Sequence, residues 1–371
     1  MIDQQLAEVS NLLIVVAIVL YVLALFGFTA DLAATTARRS DARIAAEEAR
    51  RAEQAAQAEQ RQAVPVGAGA PAVAGSDVPG VPGDASPDLS GHPSGGAGSA
   101  DTAGAPRSLS AQGFAFLIST AATVAHTIGV VLRAVATERV PWTNMYEFAV
   151  TSAALVMVCF LVFSIRRRDL RVLGTFVVGP ILLLLFIAQR FWIVPAAQLT
   201  PSLQNSHWLV IHIGVAILAT ALSILGAVVA GMQLLQARHE RALAGTVDAP
   251  DASGEHWGRF GHVLDRLPAS TTLEGLSFRI HSVGFVCWTF TLIFGSIWAR
   301  EAWGRYWNWD PKEVWTFVIW VIYAAYLHAR ATGGFRGSRA AWLALAGFVA
   351  VVFNYTIVNT VINGLHSYSG L

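Results

Sequence analysis

The chain reads as an all-α polytopic membrane protein of about eight transmembrane helices with one Trp-rich loop. Three observations carry that reading. Of its 371 residues 54% are hydrophobic and only 13% charged, where a soluble domain carries about 25% charged residues. Mean hydropathy is +0.52. Eight windows supply the roughly 20 mostly apolar residues that a helix needs to cross a bilayer: 11–30, 113–136, 146–165, 172–192, 208–236, 277–298, 314–330 and 340–363. Half of the twelve tryptophans fall between Trp298 and Trp320.

The same composition excludes several functions. A net charge of +1 provides no basic field for nucleic acid. Lys312 is the single lysine, so a GxxxxGK phosphate loop is impossible. Cys159 and Cys287 each sit inside an apolar run and form no CxxC, so they read as small buried hydrophobes and not as nucleophiles or a redox pair.

Taken in order, the first span has a leader, Met1 to Ser10, without Lys or Arg, and its apolar run is longer than an ordinary signal-peptide core. It reads as a retained first transmembrane helix, residues 1–30. Residues 31–62 are rich in Ala, Arg, Glu and Gln and continue that helix as a polar rod. Residues 63–108 are rich in Gly, Pro, Ala and Ser and lack the apolar content to fold. Together 31–112 form a cytoplasmic tether, followed by a seven-helix domain over 113–371. Residues 239–275 form a second long loop with a short amphipathic helix around Phe260 to Leu267. No internal repeat is legible in the sequence, so an inverted-repeat transporter has no support.

Orientation follows from basic residues, which collect in cytoplasmic connections. The loops after spans one, three, five and seven hold 19 of them, and the opposite loops hold five: Arg139, Arg190, Arg300, Arg305 and Lys312. Both termini and the Trp-rich segment then lie on the outer face.

The stretch WAREAWGRYWNWDPKEVWTFVIW (Trp298 to Trp320) allows two readings. Tryptophans belong in an aromatic belt at a membrane interface. Crowded beside Gly304, Asp310, Pro311, Lys312 and Glu313, they also suit a π-rich platform for a large planar ligand, with Arg300, Arg305 and Lys312 for its carboxylates. Ten histidines occur. His92 lies in the tether, His239, His256 and His262 lie in the second loop as solvated side chains, and His207 opens the fifth helix. His126, His212, His281 and His328 lie within spans, where ionisable groups are costly and functional by default. His366 follows the last helix. His212 and His366 share the face of the Trp segment, and neutral imidazole is a common axial ligand of haem iron.

The segment WGRYWNWDPKEVW (Trp303 to Trp315) resembles the WWD signature of haem-handling membrane proteins. With VPWTNMYEF (Val140 to Phe148), SLQNSHWLVIHI (Ser202 to Ile213), YLHAR (Tyr326 to Arg330) and GLHSY (Gly364 to Tyr368), the chain from about residue 113 to the C-terminus resembles the CcsA/ResC-type subunit of system II cytochrome c biogenesis, labelled CcsB in some bacteria. The resemblance implies a WWD loop over 298–315. It implies a cytochrome c haem lyase of the bacterial plasma membrane, acting at the outer face with a ResB-type partner subunit. Haem b, as substrate and bound ligand, is attached to the CxxCH segment of an apocytochrome c. It implies outer axial ligands His212 and His366, an intramembrane haem ligand His328, and a haem platform of Trp303, Trp307, Trp309, Asp310 and Trp315. Two other functions fit the same residues: a haem exporter without ligase activity, and a non-catalytic assembly scaffold whose Trp segment only docks a partner. His126 and His281 match no ligand of the family and are read as structural.

Overall fold

The structure, a computed structural model, describes residues 3–62, 110–196, 206–248, 257–332 and 334–366. The tether from residue 63 to 108, with His92, lies outside the described residues, as do His256 and the side chain of His262. The described elements are helices: α1 (Gln4–Gln62), α2 (Ala111–Thr137), α3 (Met145–Arg166), α4 (Gly174–Ile187), α5 (His207–Asp248), α6 (Gly258–Leu264), α7 (Ser270–Trp303), α8 (Pro311–Ala331), α9 (Ser338–Tyr355) and α10 (Ile357–Thr360). A 3₁₀ segment, Arg168–Leu173, leads into α4, and a π-turn, Ala188–Trp192, ends it. Among the described residues eight helical segments are long and apolar enough to cross a membrane, and the protein is an all-α multi-pass membrane protein. The chain divides into a bundle, residues 1–37 and 109–371, and a second unit, residues 38–108, of which 38–62 is described and helical.

Lipid offers no hydrophobic drive between helices, so the bundle is held by close packing of small residues and by interhelical hydrogen bonds. On α1, Ser10 Oγ donates to Gly129 O at 2.7 Å, and Tyr21 Oη lies 3.0 Å from Thr123 Oγ1. Such bonds average about 0.6 kcal/mol in a bilayer and reach about 1.7 kcal/mol. His126, fully buried, touches Tyr21 edge-on, which makes it part of the α1–α2 contact.

The most extensive helix pairing is α5 against α7. It rests on two reciprocal seats. His212 of α5 sits over Gly295 of α7, where a Cβ would come within 2.7 Å of Cε1, and His281 of α7 sits over Gly226 of α5, where a Cβ would collide with the ring. The seats are fourteen residues apart on each helix, one near each end of the pairing. His281 is buried, with Nδ1 on Ser277 O at 2.9 Å and its ring between Tyr323 and Tyr326.

His239 departs from the expected solvated loop position. It lies on α5, which runs on to Asp248, and it is buried, with Nε2 2.8 Å from Asp265 Oδ1 and its ring edge against Trp257. Helix α5 continues past its apolar run, and α6 folds back against that extension.

Candidate functional site

Where α7 ends and α8 begins, the chain makes a seven-residue connection, 304–310. Gly304 stops α7 in the left-handed conformation, φ +74°, with its N–H on Arg300 O. Asp310 and Glu313 start α8 by a reciprocal capping box, which satisfies two otherwise orphaned donors. Glu313 reaches back so that one carboxylate oxygen accepts both Asn308 N–H and Asp310 N–H. That clasp holds Trp309 between them at φ +58°, a region costly for an L-residue.

The segment expected as one Trp-rich loop over 298–315 is therefore helix, connection and helix. Trp298 and Trp303 end α7, only Trp307 and Trp309 lie in the connection, and Trp315 and Trp320 belong to α8. Their surroundings differ accordingly. Trp298 is buried and carries Trp303 edge-on at 4.7 Å. Trp307 meets Trp309 edge-on, and Trp309 is 75% exposed. Trp315 packs on Phe353 of α9 at 4.2 Å.

Beside the connection lies a cavity of about 190 Å³. Its wall is largely aromatic and apolar, with Trp142, Trp288, Trp298 and Trp307, and both His212 and His366 line it. The two imidazoles share Trp298: His212 stacks on it at 6.0 Å and His366 meets its edge at 5.7 Å, while Trp303 flanks His366 at 4.9 Å.

The hydrogen bonds decide which ring nitrogen is free. His212 Nδ1 lies 2.9 Å from the Thr291 carbonyl oxygen, which can only accept, so Nδ1 carries the proton and Nε2 keeps its lone pair. His366 Nδ1 lies 2.8 Å from Asp310 Oδ2, so it donates to that carboxylate and Nε2 is the ring nitrogen that Asp310 does not engage. Burial by itself raises the Asp310 carboxyl, but hydrogen bonds from His366 and from the Leu365 and Lys312 N–H groups, with the His366 charge, outweigh it and hold the group below the usual carboxylate range. Two imidazoles that each commit Nδ1 to an acceptor and line one aromatic cavity are a donor set that can hold the metal of a planar macrocycle through Nε2.

The remaining expected site residues are spread differently. Lys312 lines the cavity, and its Nζ donates to Asn354 O at 2.9 Å and to Asn359 Oδ1 at 2.7 Å, leaving one of its three donors for a ligand. Arg300 is exposed and donates to Gly304 O, and Arg305 is exposed; neither lines the cavity. His328 lies on the last turns of α8, about 27 Å along the helix from Asp310 at 1.5 Å per residue.

The sequence alone assigned no role to Trp142, Trp288 or Thr291, although Trp142 lies inside VPWTNMYEF. Its loop is fastened by a buried cluster. Glu147 accepts from Arg133 Nε at 3.2 Å, from Arg139 Nη1 at 2.7 Å, and from the N–H and hydroxyl of Thr143. The Asn144 side chain caps α3 by accepting Glu147 N–H. That clamp fixes the loop carrying Trp142 against the cavity.

The family model described as cytochrome C assembly protein matches residues 114–366. The chain is 32% identical to the cytochrome c biogenesis protein CcsA of Prochlorococcus marinus over 272 residues, 68% of this chain and 83% of that protein. It is 33% identical to CcsA of Heterosigma akashiwo over 252 residues, 62% and 77% of the two chains. It is 39% identical to CcsA of Guillardia theta over 176 residues, 47% of this chain and 58% of that relative.

Proposed function

The chain belongs to the cytochrome c assembly protein family as a CcsA-type cytochrome c biogenesis protein, and from that premise we propose that it is the haem-presenting membrane subunit of a system II holocytochrome c synthase. Haem is its substrate, held on the outer face of a bacterial plasma membrane between His212 and His366. The observation that carries this is the pair of imidazoles on one aromatic cavity, each with Nδ1 committed and Nε2 free.

In this reading the reaction joins the two haem vinyl groups to the two thiols of a CxxCH segment. Each S–H adds across one vinyl double bond: a C–S and a C–H bond form as the S–H bond and the π bond are lost, with no net oxidation or reduction. No nucleophile of this chain is needed. The chain supplies orientation, and fixed geometry between reactants contributes up to about 7–11 kcal/mol. The aromatic wall binds the macrocycle faces, and the free Lys312 donor binds a propionate. Trp303, Trp307 and Trp309 extend the apolar surface, Trp315 backs it through α9, and Arg300 and Arg305 attract carboxylates from outside the cavity. The substrate's own histidine then replaces one axial imidazole, which releases the product. His328 serves as an earlier station toward the cytoplasmic end, and a ResB-type subunit completes the synthase.

The test is the absorption spectrum of the haem-loaded chain co-purified with its partner subunit. A low-spin bis-histidine spectrum is expected, lost in His212→Ala and in His366→Ala and restored in each by added imidazole. Spectra unchanged in both variants overturn the proposal. Thioether formation on an added CxxCH peptide then separates synthase from exporter.

A further inference from the structure

Asp310 joins two segments that are far apart in sequence. Its Oδ2 accepts the Lys312 N–H at 3.1 Å and the His366 Nδ1–H at 2.8 Å, and its Oδ1 accepts the Leu365 N–H at 2.6 Å. The residue is 5% exposed. The segment carrying His366 approaches so closely that a Cβ on Gly364 would lie 2.5 Å from Asp310 Oδ1. Only a glycine allows that approach, so residues 364–366 are built to close onto this carboxylate.

We propose that Asp310 is the positioning residue for His366. It selects the tautomer with Nδ1 protonated, turns Nε2 toward the cavity, and through its charge makes this imidazole the stronger donor to iron. A carboxylate on the remote N–H of a metal-bound histidine fixes its orientation and raises its basicity. His212 has only the neutral Thr291 carbonyl in the same role, so the two axial ligands are unequal and His366 is the tighter. This inference rests on the haem reading above. It gives the aspartate of the Trp-rich segment a function separate from starting α8, although the same side chain performs both.

The experiment uses the full chain co-purified with its partner subunit and loaded with haem, read by absorption spectrum and by redox titration. Asp310→Asn keeps a capping oxygen, since asparagine is as good an N-cap as aspartate, but removes the charge. Haem is expected to remain bound, with its midpoint potential shifted positive because the weaker donor stabilises the ferric state less. Gly364→Ala leaves both partners in place and pushes them apart. It is expected to shift the potential in the same direction and to add a high-spin fraction that imidazole removes. Wild-type spectrum and potential in both variants, with a changed spectrum in His366→Ala, overturn the positioning role and leave the haem site standing. An unchanged spectrum in His366→Ala overturns the haem reading and this inference with it. If neither variant accumulates in the membrane, the contact is a folding element only, and the inference is overturned.

Discussion

His212 Nδ1 donates to the main-chain carbonyl of Thr291 at 2.9 Å, one turn before the glycine that makes room for the imidazole ring. The partner is backbone, so no side-chain change at Thr291 removes it, whereas Gly295 controls whether the ring reaches it. In Gly295→Ala the new Cβ would lie 2.7 Å from His212 Cε1. The ring must leave its bond, and the bis-histidine spectrum is expected to fall away. Gly226→Ala, still more crowded against His281, is expected to lower the melting temperature while the haem that remains keeps its normal spectrum. Equal spectral damage from both would show that the effect is helix separation and not loss of the His212 bond.

Glu147 holds two arginines whose side chains are nearly excluded from solvent. Removing one partner of a buried ion pair costs on the order of 3–5 kcal/mol, because the remaining charge stays buried. Glu147→Gln is therefore expected to destabilise the chain strongly in detergent and to loosen the Trp142 loop. A melting temperature indistinguishable from wild type would sink the clamp.

Trp309 occupies a backbone conformation that costs an L-residue about 1–2 kcal/mol and keeps three quarters of its surface exposed. Trp309→Gly removes that strain and little buried area, so stability is expected to hold or rise. Haem occupancy is expected to fall, as the proposed platform loses a ring. Full occupancy at unchanged affinity would take Trp309 out of the platform.

His328 is separated from the cavity by most of the length of α8, so in the proposed site it cannot ligate the same iron as His212 and His366. His328→Ala is expected to reduce the amount of haem co-purifying while leaving the spectrum of that haem unaltered. A changed axial spectrum at full occupancy contradicts the two-station scheme.

The uneven distribution of basic residues, 19 against five, predicts that the Trp-rich end lies outside. A reporter active only in the cytoplasm, fused after Leu371, is expected to be silent, and the same reporter placed after Arg336 to be active. The reverse pattern would move the cavity to the cytoplasmic side.

Local, one-dimensional physics set what could be read from the sequence by itself. A bilayer requires apolar runs of fixed length, so the eight spans were legible from composition alone, and the 3.6-residue period put His212 one turn inside its helix. The short helix near Phe260 was legible for the same reason. The Trp-rich segment was legible as a cluster but not as a structure, because a capping box and a left-handed glycine, and not tryptophan content, decide where α7 stops and α8 starts. Contacts between distant segments left no such periodic trace. Asp310 meets His366 fifty-six positions away, His212 meets a carbonyl seventy-nine away, and His239 leaves solvent for Asp265 because α5 runs on past its apolar stretch. Only the tertiary structure decided which nitrogen of His212 and of His366 is committed, since that depends on the one partner that packing brings within 3 Å of it.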